Sequence, residues 1–195
     1  MSTTHLLYLH GFRSSPESTK ACLLRNWLSR HYPGVVWVAP ELPASPAAAI
    51  GLIDKLTAQW PAASSAVMGS SLGGFYASFI AKQRGWPSVV VNPAVAAHRH
   101  GHKLVGEHTM WHNPTQTMHF LPSYVDELQA LALDAADVSA NTMAIVAKGD
   151  EVLDWHEMAG HYQHTQLHLL AKGDHGLSDF EPWMEPIADF LHLRA

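Results

Sequence analysis

The chain has 195 residues, 47% of them apolar, which is enough for a substantial core in one domain and too apolar for disorder. Twelve basic against 17 acidic residues give a formal charge of −5, and no basic cluster suggests a nucleic-acid surface. No apolar run is long enough to span a bilayer, no signal peptide is evident, and Cys22 alone cannot form an internal disulfide, so a cytoplasmic protein is expected.

Residues 5–9 (His-Leu-Leu-Tyr-Leu) form a nearly continuous apolar run, the pattern of a strand buried on both faces of a parallel sheet. The run stops at His10-Gly11-Phe12, and a polar loop follows. A helix is predicted over 18–30, with Leu23, Leu24, Trp27 and Leu28 as its apolar stripe. Cys22 lies in that helix and is read as packed or idle. Pro33-Gly34 breaks the chain, 35–39 reads as a strand closed by Pro40, and 47–60 as a helix. A third strand over 65–68 leads into Gly69-Ser70-Ser71-Leu72-Gly73-Gly74 and a helix over 75–84.

Gly85-Trp86-Pro87 ends that helix, and Val89-Val90-Val91 is a fourth strand stopped by Asn92-Pro93. Residues 94–122 read as a long irregular segment, followed by a short helix over 123–131. A strand over 143–147, a helix over 155–164, a strand over 167–170 and a helix over 181–191 complete the chain. Alternating strands and helices imply an α/β fold, a mostly parallel sheet of about six strands with helices on both faces. Ligands bind such sheets at the carboxyl ends of the strands.

One such end carries Gly69-x-Ser71-x-Gly73. Small residues two before and two after a serine suit a strand turning sharply into a helix. The turn lifts the Ser71 hydroxyl above the sheet, where the helix dipole and the Leu72 N–H favour developing negative charge. A plain glycine-serine turn is the bland alternative. Ser70 is a weaker nucleophile candidate, because Met68 and Leu72 would then occupy the tight positions.

A serine needs a base, usually histidine oriented by a carboxylate, and in this fold class the chain order is serine, acid, histidine. His175, in Lys172-Gly173-Asp174-His175-Gly176 after the last strand, is the base candidate among 15 histidines. Asp150 is the favoured acid, first after its strand and after Gly149. Asp154 is the alternative acid, or else the cap of the helix that follows. Asp174 reads as a solvated loop residue. The Leu72 N–H and the Phe12 N–H, from the loop after the first strand, are the candidate oxyanion donors, although the Phe12 ring is equally a core aromatic.

Taken together these pieces resemble the α/β-hydrolase superfamily, and most closely the small YqiA/YcfP-type esterases. The matching stretches are Leu-Tyr-Leu-His-Gly-Phe-Arg-Ser-Ser-Pro (7–16), Gly-Ser-Ser-Leu-Gly-Gly (69–74), Val-Val-Val-Asn-Pro-Ala-Val (89–95), Gly-Asp-Glu-Val-Leu-Asp (149–154) and Gly-Asp-His (173–175). The resemblance implies a compact hydrolase fold and an esterase with Ser71, Asp150 and His175 as its triad. No metal or organic cofactor is expected, and the partner is a small-molecule ester or thioester.

The resemblance also points to a lid-like insertion near 94–139. In it, Met110, Trp111, Met118 and Phe120 either line an acyl pocket or simply pack. The histidine-rich middle is a departure from the family pattern. His98, His100 and His102 alternate, but nearby residues complete no ligand set beyond Glu107, and loop histidines are the plainer reading. His156, Glu157 and His161 miss zinc-helix spacing by one residue, which turns the two rings ~140° apart. A thioesterase for acyl-CoA would use the same triad with a cation patch, for which Arg13, Arg99 and Lys103 are the candidates. A protein that keeps the fold without catalysis is the rival of another class.

Overall fold

The computed structural model describes residues 2–194. Its main sheet holds six parallel strands: β1 (His5–Leu9), β2 (Val36–Val38), β3 (Ser65–Ser70), β4 (Ser88–Val91), β7 (Thr142–Ala147) and β8 (Gln166–Leu170), in the order β2-β1-β3-β4-β7-β8. The four inner strands read as apolar runs because both faces are covered, and β3, β4 and β7 are buried at every residue. Alternate side chains feed two cores. Leu6 and Tyr8 of β1 join Met68, Val89 and Ile145 under α1 (Thr19–His31) and α6 (Met184–Phe190). Leu7 and Leu9 join Val67, Val90 and Ala144 on the opposite face. That face is covered by α2 (Pro46–Leu56), α3 (Leu72–Arg84) and α4 (Ser123–Leu131), through Ile53, Ile80 and Leu128.

β1 and β3 are neighbours, yet α1 after β1 and α3 after β3 go to opposite faces. Their loops therefore diverge, opening a crevice at the carboxyl ends of those two strands. The α/β parallel-sheet expectation holds; α3 starts earlier than predicted, at Leu72, and three helices are shorter than predicted. The 47–60 helix ends at Leu56, and α5 (Trp155–His161) stops short of 164. The 181–191 helix opens with a 3-10 turn over Glu181–Trp183.

The expectation for 94–122 needs correction. This stretch holds an antiparallel hairpin, β5 (Gly106–Thr109) and β6 (Thr117–Phe120), apart from the main sheet. Its strands are four residues each and mostly polar, so they carry little apolar alternation to read. The hairpin owes its place to packing. Phe120 is fully buried and meets the Phe12 ring edge-on at 5.8 Å, while His108 meets Phe12 at 5.0 Å. No helix among the described residues is long and apolar enough to cross a membrane.

Candidate active site

β3 ends at Ser70 and α3 begins at Leu72, so Ser71 alone makes the turn, at φ 56° and ψ −124°. A side chain there costs of order 1–3 kcal/mol of backbone strain, tolerated only where the surroundings over-determine it. Here the Ser71 N–H donates to the Val91 carbonyl (3.0 Å), and its own carbonyl accepts from Gly74 (2.9 Å) and Ala94 (3.0 Å). The tight positions are those the spacing predicts. A Cβ at Gly69 would lie 2.0 Å from the Gly73 carbonyl oxygen, and one at Gly73 would lie 2.0 Å from that of Leu9.

The loops after β7 and β8 bring two more groups to this turn. His175 Nε2 lies 3.0 Å from Ser71 Oγ, and its Nδ1 lies 2.8 Å from Asp150 Oδ2. A carboxylate only accepts, so the ring proton sits on Nδ1 and the Nε2 lone pair faces the serine. Asp150 Oδ1 accepts from the Val152 and Leu153 amides, each at 2.8 Å. Burial alone would raise the Asp150 pKa. The His175 hydrogen bond and these amides outweigh it and hold the carboxyl below its ordinary range.

Asp154 is elsewhere, exposed at the start of α5, where its Oδ1 accepts from the His156 amide at 2.9 Å. That hydrogen bond and the His156 ring lower its pKa. Ser70 is buried. Asp174 bonds Ser178 within its own loop.

The loop after β1 closes the other side. A Cβ at position 11 would lie 3.1 Å from Ser71 Cβ, so backbone and nucleophile nearly touch. The Gly11 carbonyl is engaged twice, by His10 Nδ1–H (2.9 Å) and the Ser14 amide (3.2 Å). The peptide is trans, so the Phe12 N–H points the opposite way from that carbonyl. Among the described residues, neither the Phe12 nor the Leu72 N–H donates to any protein group.

Sequence reasoning missed the His10 side chain; its only signal was a histidine directly before a loop glycine. The ring is buried, and Nε2 accepts the Leu42 N–H at 3.1 Å. With both nitrogens engaged this way the ring is neutral, and Glu41 at 3.9 Å is no ion-pair partner. Burial lowers the His10 pKa below its ordinary 6.5. The folded chain therefore binds fewer protons here than the unfolded one, and stability is lost as pH falls below about 6.5. His10→Leu should cost about 2–3 kcal/mol near neutral pH. The gap between wild-type and variant thermal midpoints should narrow toward about pH 5. A gap constant with pH would contradict the neutral assignment.

Two further contacts steady the His175 loop. The His175 amide donates to Glu151 Oε2 at 3.0 Å. Lys20 Nζ, from α1, donates to the Gly176 carbonyl. Burial lowers the Lys20 ammonium to about 8, against the pull of Asp174 and Asp150. No local pattern links Lys20 to a loop about 150 residues away.

Beside the Phe12 and Leu72 amides lies a cavity of about 20 Å³, lined in part by Tyr76, Met110 and Met118. That is space for about one water or a methyl group. Of the four lid candidates, Met110 and Met118 line it, Phe120 is core, and Trp111 is 70% exposed. The Arg13 guanidinium lies 3.9 Å from the Trp111 ring, and its Nε donates to the Thr109 carbonyl at 2.7 Å. Arg99 faces Glu157 at 4.0 Å. Two of the three cations suggested for CoA phosphates thus already have protein partners.

The model of the family described as "Uncharacterised protein family (UPF0227)" matches residues 5–192. Among solved structures, alpha/beta hydrolase domain-containing protein 10 from mouse superposes with a TM-score of 0.76 at 15% identity, covering 97% of this chain and 90% of that one. Est1E from Butyrivibrio proteoclasticus gives 0.72 at 12% identity, over 97% and 87%. The Paleococcus ferrophilus monoacylglycerol lipase gives 0.70 at 16%, over 98% and 95%. These likenesses establish the α/β-hydrolase fold, and the resemblance to the YqiA/YcfP-type group is borne out.

Proposed function

We propose that this chain, which belongs to the UPF0227 family, is a serine hydrolase acting on carboxylic esters. The observation that carries the reading is the continuous line Asp150–His175–Ser71, with contacts of 2.8 and 3.0 Å, ending on a strained turn at a crevice. Ser71 Oγ attacks the ester carbonyl carbon while its proton moves to His175 Nε2. The carbonyl oxygen becomes an oxyanion held by the Phe12 and Leu72 N–H groups. Collapse breaks the carbon–oxygen bond, and Nε2 returns the proton to the departing alcohol. Water then attacks the acyl-enzyme, giving one proton to Nε2 and the hydroxyl to the acid, and Ser71 regains its proton. Asp150, held ionised by its hydrogen bonds, keeps the ring proton on Nδ1 throughout. The steps use side chains and amides alone, with no metal or organic cofactor. Solved structures of the same fold named as esterases and lipases support the class of reaction.

Residues 94–139, inserted between β4 and β7, act as the cover of the acyl site through Met110 and Met118. The small cavity sets the preference toward short acyl groups. Nitrophenyl acetate should therefore be hydrolysed with a higher kcat/KM than the octanoate. Met118→Ala should raise octanoate turnover about 10-fold relative to acetate, the worth of one or two methylenes in an apolar pocket. An unchanged chain-length profile would remove the hairpin from specificity. Absence of any ester hydrolysis would remove the reading itself.

A further inference from the structure

One buried side chain outside the triad touches the supports of the acid and the base, and the backbone on either side of it holds the nucleophile. Asn92 directly follows β4, is fully buried, and sits at φ 41°, a left-handed backbone that asparagine tolerates better than most residues. Its Oδ1 accepts the Ala147 N–H at 2.8 Å. Its Nδ2 donates to the Asp174 carbonyl at 2.9 Å and the His175 carbonyl at 3.0 Å. The amide's orientation follows from these partners, because only the NH₂ end can face two carbonyls.

Each partner leads to the site. The Ala147 carbonyl accepts the Asp150 N–H at 3.2 Å, so holding Ala147 holds the start of the acid's loop. The bonds to Asp174 and His175 grip the backbone that carries the base. On either side of Asn92, the Val91 carbonyl and the Ala94 N–H take the two backbone groups of Ser71. The corner 91–94 thus fixes the nucleophile by its backbone and the base and acid by one amide.

We propose that Asn92 is the positioning residue that sets the His175 ring against Ser71, acting through the backbone of residues 174–175 and touching no reacting atom. This inference rests on the triad reading above. Its distinctive consequence is that losing the amide should slow chemistry and leave substrate binding nearly intact. Asparagine is needed because the site demands two donors, one acceptor and a tolerated positive φ from one short side chain. Glycine meets only the last demand. Aspartate keeps shape and acceptor but turns an oxygen toward two carbonyls, so it fits only when protonated, and then with one donor.

The test compares wild type, Asn92→Gly and Asn92→Asp, each well below its thermal midpoint, for nitrophenyl acetate hydrolysis and for the rate of fluorophosphonate labelling. Asn92→Gly should lower kcat and labelling by about 10- to 100-fold, the scale of a misplacement near 1 Å, with KM within about threefold. The kcat of Asn92→Asp, as a ratio to wild type, should rise as pH is lowered from about 8 to 6, because protonation restores one donor. A folded Asn92→Gly within twofold of wild type in both rates would overturn the proposal. So would an Asn92→Asp ratio flat with pH, which also serves if the glycine variant does not fold. If Ser71→Ala hydrolyses esters like wild type, the triad reading fails first and this inference with it. If Ser71→Ala is inactive and the Asn92 variants are normal, only this inference fails.

Discussion

Ser71→Ala should reduce ester turnover by about 10⁶-fold, and His175→Ala should cost nearly as much. The two share one proton transfer, so the double variant should be no worse than either alone within a few-fold. Asp150→Asn should lose about 10⁴-fold, because the amide stabilises the wrong ring tautomer. Asp154→Asn should leave turnover near wild type, since that carboxylate caps α5. Stopped and steady-state assays with nitrophenyl acetate measure all of these. Additive losses in the double variant would contradict a Ser71–His175 unit.

The second large effect falls on stability. A Cβ at position 73 would lie 2.0 Å from the Leu9 carbonyl oxygen and 2.6 Å from that of His10. Both are backbone atoms of β1 and the loop after it, so no rotamer change relieves the clash. Gly73→Ala should therefore cost at least about 3 kcal/mol, the upper end of overpacking penalties, and move β1 away from the elbow. Gly51→Ala is the matched control. No atom lies within 4 Å of the added Cβ, and the residue is inside α2. It should be neutral or stabilising by up to about 1 kcal/mol. Urea unfolding of the two variants measures the contrast. Equal midpoints would mean that the elbow yields more easily than its contacts imply.

The central strands were legible because a parallel strand buried on both faces is apolar at nearly every position, as in Leu6–Leu9 and Met143–Ala147. The elbow was legible because its geometry restricts residue type at two flanking positions. Asp150 and His175 were legible from their places after strands, since parallel topology gathers those loops at one edge. What stayed hidden depends on contacts between distant segments. The β5–β6 hairpin is polar and held by Phe120 against Phe12, a pairing no local pattern announces. Position after the strand favoured Asp150 over Asp154, but its 2.8 Å contact to His175 depends on a loop 25 residues away. Asn92 read as a strand stop because asparagine before proline usually is one; its three side-chain bonds span 55 to 83 residues of sequence. His10 likewise acts on its own loop and on Leu42, through partners that only the folded chain supplies.

The most direct test of the central claim is to label the wild-type protein with a fluorophosphonate and locate the adduct by peptide mass spectrometry. One equivalent on Ser71 is the expected result, with none on the buried Ser70 beside it. An adduct on Ser70 or on another residue, or no adduct in a protein that still hydrolyses nitrophenyl acetate, would contradict Ser71 as the nucleophile.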